Sequence, residues 1–128
     1  MRVLVVDDNP DMIASLKLLL ERHGHQVEGC TRAAACLLQQ GQDPFDVLIT
    51  DIFMPDVDGL QVIQEVRARW PGTAIVAMSG GGQVVQQDYL AVACDLGADI
   101  ALRKPFDPDA LVRALSEFER RRAHAPDF

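Results

Sequence analysis

The sequence has little cysteine and no long hydrophobic run. Its three cysteines, Cys30, Cys36 and Cys94, form no CxxC pair, which predicts free thiols in a reducing compartment and no disulfide framework. No segment approaches the roughly 20 apolar residues that a membrane-spanning helix needs. The first apolar run stops at Asp7, which argues against a signal peptide. We therefore expect a cytoplasmic protein that does not bind membranes.

Positive charge is also scarce. Lys and Arg total 12 against 19 Asp and Glu, so the formal net charge is -7. Such a surface repels phosphate backbones, which disfavours direct binding to nucleic acid. The one basic run, at 120–122, follows a helical pattern and is typical of cations at the C-terminal end of a helix. The length of 128 residues predicts a single domain.

Short apolar runs alternate with segments of helical periodicity along the whole chain. The runs lie at 3–6, around Val27, and at 47–49, 74–78 and 100–102. Continuous apolar strands are what a parallel sheet covered on both faces requires. Five such β-α units predict a doubly wound α/β sheet. At this level a Rossmann-like half and a flavodoxin-like strand order are both compatible with the pattern.

The helical segments have recognisable ends. These are Asn9-Pro10 and Gly24 for the first helix, Thr31 as N-cap and Gly41 as stop for the second, Gly59 and Pro71-Gly72 for the third, about Val84 and Gly97 for the fourth, and Asp107-Pro108 as the start of the fifth.

Polar side chains follow four of the five apolar runs. Asp7 and Asp8 follow the first, Asp51 the third, Ser79 the fourth and Lys104 the fifth. The carboxyl ends of parallel strands meet at one edge of the sheet, where such folds bind ligands. Carboxylates held together there repel one another, and a hard divalent cation such as Mg²⁺ relieves the repulsion. An acid, a hydroxyl and a cation around one volume suit phosphoryl transfer, with Asp51 best placed to accept the group.

Four sequence blocks carry a resemblance to a known family. They are VLVVDDN at 3–9, DVLITDIFMPDVDG at 46–59, Ser79-Gly80, and KPF at 104–106. In this order, over essentially the whole chain, they resemble the receiver domains of two-component response regulators. The resemblance implies a flavodoxin-like (βα)5 fold, with a doubly wound parallel five-stranded sheet of order 2-1-3-4-5. It also implies a receiver domain over residues 1–122 and a short C-terminal tail at 123–128.

The resemblance implies a magnesium-dependent phosphoacceptor. Asp51 matches the residue that takes the phosphoryl group. Asp8 and Asp51 match direct Mg²⁺ ligands, the backbone carbonyl of Phe53 matches a third ligand, and Asp7 matches a residue that acts through water. The expected chemistry is self-phosphorylation and slow autodephosphorylation, with no further enzymatic activity.

The remaining site roles come from the same resemblance. Lys104 matches the ion pair to the phosphoryl oxygens, Ser79 matches the switch hydroxyl, and the Lys104-Pro105 peptide is expected to be cis. Ala101 departs from the pattern, because this family usually has an aromatic residue at that place.

The implied partners are proteins. A histidine kinase or histidine phosphotransfer protein would supply the phosphoryl group near the first helix. A downstream protein would contact the face of the fourth helix, fifth strand and fifth helix, with the chain a monomer or a phosphorylation-dependent dimer.

Three other functions compete with this one. A binding module that has lost phosphorylation is the alternative, and Ala101 is its support. A phosphatase would want a second Asp where Phe53 stands. A flavin carrier would place a phosphate where the charges of Asp7 and Asp8 repel it.

Overall fold

The computed structural model describes residues 1–53, 59–80 and 86–123. Strands and helices alternate through this part of the chain. Their bounds are β1 Arg2–Val6, α1 Pro10–Glu21, β2 Gln26–Cys30, α2 Ala33–Gln42, β3 Val47–Asp51, α3 Gly59–Arg69, β4 Ala74–Ser79, α4 Gln86–Leu96, β5 Ile100–Arg103 and α5 Pro108–Ala123.

The five strands form one parallel sheet in the order β2-β1-β3-β4-β5. This confirms the flavodoxin-like order and resolves the choice that strand count alone left open. Successive residues of a strand point to opposite faces, so each strand serves two cores. Val5 and Ile49 pack with α1 and α5 on one face, whereas Leu4 and Leu48 pack with α2, α3 and α4 on the other. Both faces are covered, which explains why the strands are continuously apolar.

The predicted ends of the first and last helices are confirmed. Asn9 caps α1, and its side-chain oxygen accepts a hydrogen bond from the Asp11 N–H at 3.0 Å. Gly24 takes a positive φ of 89° after the helix, a conformation that glycine adopts at no steric cost. Asp107 opens α5 in the same way as Asn9, by accepting from the Asp109 N–H at 3.0 Å.

Both predicted ends of the second helix are wrong. The N-cap of α2 is Arg32, which is extended and makes no side-chain capping bond, so Thr31 is not the cap. Burial of the first turn, including Ala33, accounts for this start better than capping does. The helix also continues through Gly41 and ends at Gln42. It stops there because Pro44 disfavours a helical conformation for Asp43, whose φ and ψ are -155° and 95°.

Three other predictions concern the fourth helix, the C-terminal tail and the thiols. The predicted start of the fourth helix, Val84, and residues 124–128 of the predicted tail lie outside the described residues, whereas Ala123 belongs to α5. Cys30, Cys36 and Cys94 are free, as expected. Burial, followed by the nearby Cys30, raises the pKa of the Cys36 thiol to about 12, so this thiol stays protonated. Within the described residues, no helix combines the length and apolar character that crossing a membrane requires.

A buried polar network closes the edge of the sheet at the amino ends of β3 and β4. The Gln40 side chain is fully buried, and its Oε1 accepts from the Phe45 N–H at 3.0 Å. Its Nε2 donates to Thr73 Oγ1 at 3.0 Å, and that hydroxyl donates to the Phe45 carbonyl oxygen at 2.9 Å. The network pairs the polar groups of three residues from separate parts of the chain.

We expect Gln40→Leu to lower the free energy of unfolding by about 2 kcal/mol, because it leaves the buried Phe45 N–H without its acceptor. Urea denaturation measures the change. Gln42→Leu is the matched control on the same helix, since Gln42 is exposed, and it should change the value by no more than about 0.5 kcal/mol. Equal stability of the two variants would show that the network contributes nothing.

Candidate functional site

Three strand ends deliver charged side chains to one edge of the sheet. Asp7 follows β1, Asp51 is the last residue of β3, and Lys104 follows β5. The side chains of Asp7 and Asp51 are 1% and 9% exposed, and that of Lys104 is 15% exposed. Asp8, beside them, is exposed to solvent. The arrangement is a partly buried charged pocket with one carboxylate on its open side.

Lys104 joins the two buried carboxylates. Its Nζ donates to Asp7 Oδ2 at 2.6 Å and to Asp51 Oδ2 at 3.2 Å. Residues far apart in the sequence meet here because parallel strands end at the same edge. The contact to Asp7 is the shorter of the two. Asp7 therefore anchors the ammonium group beside Asp51.

Backbone amides fix the other oxygen of each buried carboxylate. The Asn9 N–H donates to Asp7 Oδ1 at 2.9 Å, and the Phe53 N–H donates to Asp51 Oδ1 at 3.2 Å. Each oxygen has a second lone pair, so these bonds orient the carboxylates without using all of their acceptor capacity. The sequence analysis did not assign these two amides a role, and their place two residues after each Asp is the signal for an Asx turn.

Burial and charge oppose one another at these groups. Burial raises the pKa of Asp51, the charge of Lys104 and the Phe53 N–H lower it, Asp7 raises it again, and the net pKa lies above the ordinary value. Burial lowers the pKa of Lys104, but the hydrogen bonds and charges of Asp7 and Asp51 together outweigh it, so its pKa is raised. Lys104 is thus held as a cation.

The three carboxylates are close enough to share a cation. One oxygen from each of Asp7, Asp8 and Asp51 lies within 4.8 Å of the others. Carboxylate oxygens are hard ligands, and the exposed side of Asp8 leaves room for the waters that Mg²⁺ retains. The donor set therefore fits the predicted ion. Ligation by the Phe53 carbonyl stays a prediction.

The structure places Ser79 next to Lys104 through the backbone. The Lys104 N–H donates to the Ser79 carbonyl oxygen at 2.7 Å. Ser79 is fully buried, and its hydroxyl is 3.5 Å from the Gly80 carbonyl oxygen, a long hydrogen bond. The switch role of this hydroxyl stays a prediction, and the glycines at 81–82 lie outside the described residues. The Lys104-Pro105 peptide is cis, which confirms that expectation.

An aromatic contact beside the site was not predicted. The Phe53 and Tyr89 rings lie 5.1 Å apart between centroids, at an angle of 78°. Nothing in the sequence pattern marks a contact between two half-exposed side chains from separate elements.

Comparisons with known proteins identify the family of this chain. Residues 3–116 match the family described as response regulator receiver domain. The transcriptional regulatory protein FixJ of Azorhizobium caulinodans is 40% identical over 116 residues, which cover 88% of this chain and 52% of FixJ. KdpE of Mycobacterium tuberculosis is 31% identical over 126 residues, covering 98% of this chain and 54% of KdpE. The chain thus spans about half the length of these curated relatives.

A solved structure matches the fold over nearly its whole length. The CheY-like response regulator receiver domain protein from Methanospirillum hungatei superposes with a TM-score of 0.86 at 25% identity, covering 97% of this chain and 98% of that one. The sequence matches and the strand order agree. This chain belongs to the response regulator receiver domain family.

Proposed function

We propose that this domain accepts a phosphoryl group on Asp51 from a histidine kinase or histidine phosphotransfer protein, in a magnesium-dependent reaction. The observation that carries the proposal is the single ammonium group of Lys104, which bonds to both Asp7 and Asp51 in a partly buried pocket. Membership of the receiver family supports the acceptor role.

The proposed step forms one bond and breaks another. An Asp51 carboxylate oxygen attacks the phosphorus atom, the bond from phosphorus to the donor breaks, and the donor leaves with its electron pair. Lys104 Nζ, 3.2 Å from Asp51 Oδ2, can bond to a phosphoryl oxygen while it keeps its 2.6 Å contact to Asp7. We assign the Ser79 hydroxyl to another phosphoryl oxygen. Fixed donors of this kind stabilise charge without reorganising during the reaction.

Asp8 and Asp51 with the Phe53 carbonyl would hold Mg²⁺, and Asp7 would act through a water molecule. When bound, the ion neutralises charge on the phosphoryl oxygens. The protein's own part is to keep three acidic side chains and one Lys within a few ångströms, a set whose mutual repulsion the fold must offset. Beyond self-phosphorylation and slow autodephosphorylation, we propose no enzymatic activity.

A cavity beside Lys104 is the docking site that we assign to the phosphodonor protein. It has a volume of about 280 Å³, and it is lined on the α1 side by residues that include Met12 and Leu16, and on the other side by Pro105 and Phe106. An apolar groove with Lys104 in its wall suits a helix of a kinase or phosphotransfer protein. Docking there would bring the donor histidine towards Asp51.

We assign the output to the face of α4, β5 and α5, which would contact a downstream protein. Phosphorylation adds about -1.5 to -2 charge and would bias an existing equilibrium between conformations. On this proposal residues 1–122 are the receiver domain, followed by a tail at 123–128, in a cytoplasmic protein that is monomeric or dimerises on phosphorylation.

One observation favours the alternative of a non-phosphorylated binding module. Ala101 of β5 stands where the family usually has an aromatic, so the usual relay to the outer face is missing. The intact charged pocket argues against this alternative, because a module without phosphorylation has no need for a buried Asp-Lys-Asp set.

The test is intact-mass spectrometry with acetyl phosphate. We expect one phosphoryl group to be added when Mg²⁺ is present and none when EDTA removes the Mg²⁺. An anionic donor can approach the three carboxylates only when a cation offsets their charge. Uptake that is equal with and without Mg²⁺ would contradict the metal role. No uptake under either condition would support the binding module.

A further inference from the structure

Two half-exposed aromatic residues connect the acceptor site to α4. Phe53, directly after β3, is 43% exposed, and Tyr89 in the first half of α4 is 37% exposed. Their rings meet edge to face, with centroids 5.1 Å apart and an interplanar angle of 78°. This geometry is the one that aromatic pairs prefer. The contact lies outside both hydrophobic cores of the domain.

Phe53 contacts the acceptor carboxylate as well as the ring of Tyr89. Its backbone N–H donates to Asp51 Oδ1 at 3.2 Å, so whatever holds Phe53 also orients the carboxylate. Tyr89 reaches this residue from a helix that packs on β4 and β5. One residue, Phe53, therefore connects the ring of Tyr89 to the carboxylate of Asp51.

The composition of β5 makes this connection more important. Ala101 is partly buried against the core on the same face of the sheet as α4, and its methyl group cannot report changes at the site as a ring could. Ala101 pairs with Ala77 on β4, so that part of the sheet has small side chains on both strands. Among the described residues, the Phe53–Tyr89 pair is the aromatic contact that joins the site to α4.

We propose that Tyr89 is a positioning residue of the acceptor site, which acts through Phe53 to hold Asp51 and to couple the site to α4. This inference rests on the proposed function. The two rings supply the coupling that the side chain of Ala101 cannot. We assign Tyr89 no contact with the reacting atoms, so its effect is on geometry and on the transmission of the phosphorylated state.

The first experiment measures phosphorylation by acetyl phosphate as a function of Mg²⁺ concentration. Tyr89→Ala is expected to raise the half-saturating Mg²⁺ concentration about two- to tenfold, the factor that corresponds to one edge-to-face contact. Tyr89→Phe keeps the ring and should restore the wild-type value. Tyr89→Leu keeps the apolar bulk without a ring, and it carries the test if Tyr89→Ala does not fold. Val92→Ala trims another exposed apolar side chain of α4 and should have no effect.

The second experiment follows Tyr89 itself. The chain has one Tyr, so incorporation of 3-fluorotyrosine gives a single ¹⁹F resonance. We expect this resonance to shift on addition of Mg²⁺ alone, and again with beryllofluoride, in otherwise unchanged protein. Phe53→Leu should remove at least half of each shift, because it removes the ring that transmits the change. Val92→Ala should leave the shifts intact.

The outcomes separate this inference from the function on which it rests. Normal phosphoryl uptake with a Tyr89 resonance that does not respond, or that responds equally after Phe53→Leu, would overturn the coupling and leave the acceptor function standing. An unchanged Mg²⁺ midpoint in Tyr89→Ala would overturn the positioning role. Absence of phosphoryl uptake in the unaltered protein would overturn both proposals.

Discussion

Asp51→Asn is expected to abolish phosphoryl uptake from acetyl phosphate, with no mass gain under conditions in which the unaltered protein gains one group. An amide oxygen is a far weaker nucleophile than a carboxylate and forms no stable acyl phosphate. The substitution keeps the shape of the side chain, and its oxygen can still accept from the Phe53 N–H. Lys104 keeps its contact to Asp7, so the pocket should stay assembled.

The control for this variant is another carboxylate. Asp109→Asn changes an exposed acid in the first turn of α5 that is not one of the three carboxylates of the pocket, and it should leave uptake unchanged. Loss of uptake in both variants would point to a general effect of charge. Retention of uptake in Asp51→Asn would place the acceptor elsewhere.

The same variant is expected to raise the free energy of unfolding at neutral pH by about 1 kcal/mol without metal, because burial and the charge of Asp7 disfavour the Asp51 carboxylate while Lys104 keeps its shorter contact to Asp7. Burial raises the pKa of Asp51 in the folded state above its unfolded value. Between the two values the folded state binds more protons, so stability falls as pH rises through this window. Urea denaturation at about pH 7 and about pH 4 should show the gain at the higher pH and little at the lower. A variant less stable than the parent at neutral pH would contradict this.

Gly59→Ala is expected to destabilise the domain by roughly 3 kcal/mol. A Cβ at Gly59 would lie 2.2 Å from the Asp51 carbonyl oxygen and 2.6 Å from the Ile52 Cα. Both are backbone atoms, and the Gly59 N–H donates to the Ile52 carbonyl oxygen at 2.8 Å, so neither side can move freely. Relief would displace the end of β3, which carries Asp51. We therefore also expect slower phosphorylation.

Gly72→Ala is the matched control for this substitution. A Cβ there meets no atom within 4 Å, and the change should alter stability by no more than about 0.5 kcal/mol. Thermal or urea unfolding of the two variants measures the difference in their stability. If Gly59→Ala were as stable as Gly72→Ala, the close approach of α3 to β3 would be unimportant.

The fold and the charged pocket could be predicted because their causes are visible in the sequence. Continuous apolar strands require a sheet covered on both faces, and parallel strands require that Asp7, Asp51 and Lys104 end at one edge. These rules depend on residue type and order alone. They do not depend on the details of packing.

The features that could not be predicted depend on tertiary packing. Thr31 has the chemistry of an N-cap, but α2 begins at Ala33 after an uncapped Arg32, and buried side chains occupy its first turn. The partners of Gln40 lie in the connections before β3 and β4, and the assembled sheet brings Thr73 to it from 33 residues away. The contact between Phe53 and Tyr89 likewise depends on how the segment after β3 packs against α4.

The 2.7 Å bond from the Lys104 N–H to the Ser79 carbonyl oxygen has a consequence for signalling. Two side chains that we assign to the same anion, one neutral and one cationic, share a main-chain tether across adjacent strands. Neither residue can move far alone, because a displacement of its backbone also displaces the backbone of the other. A bound anion would thus move the carboxyl ends of β4 and β5 inward together. The hydrogen-bonded pair of strand ends would then be the unit that changes conformation on phosphorylation.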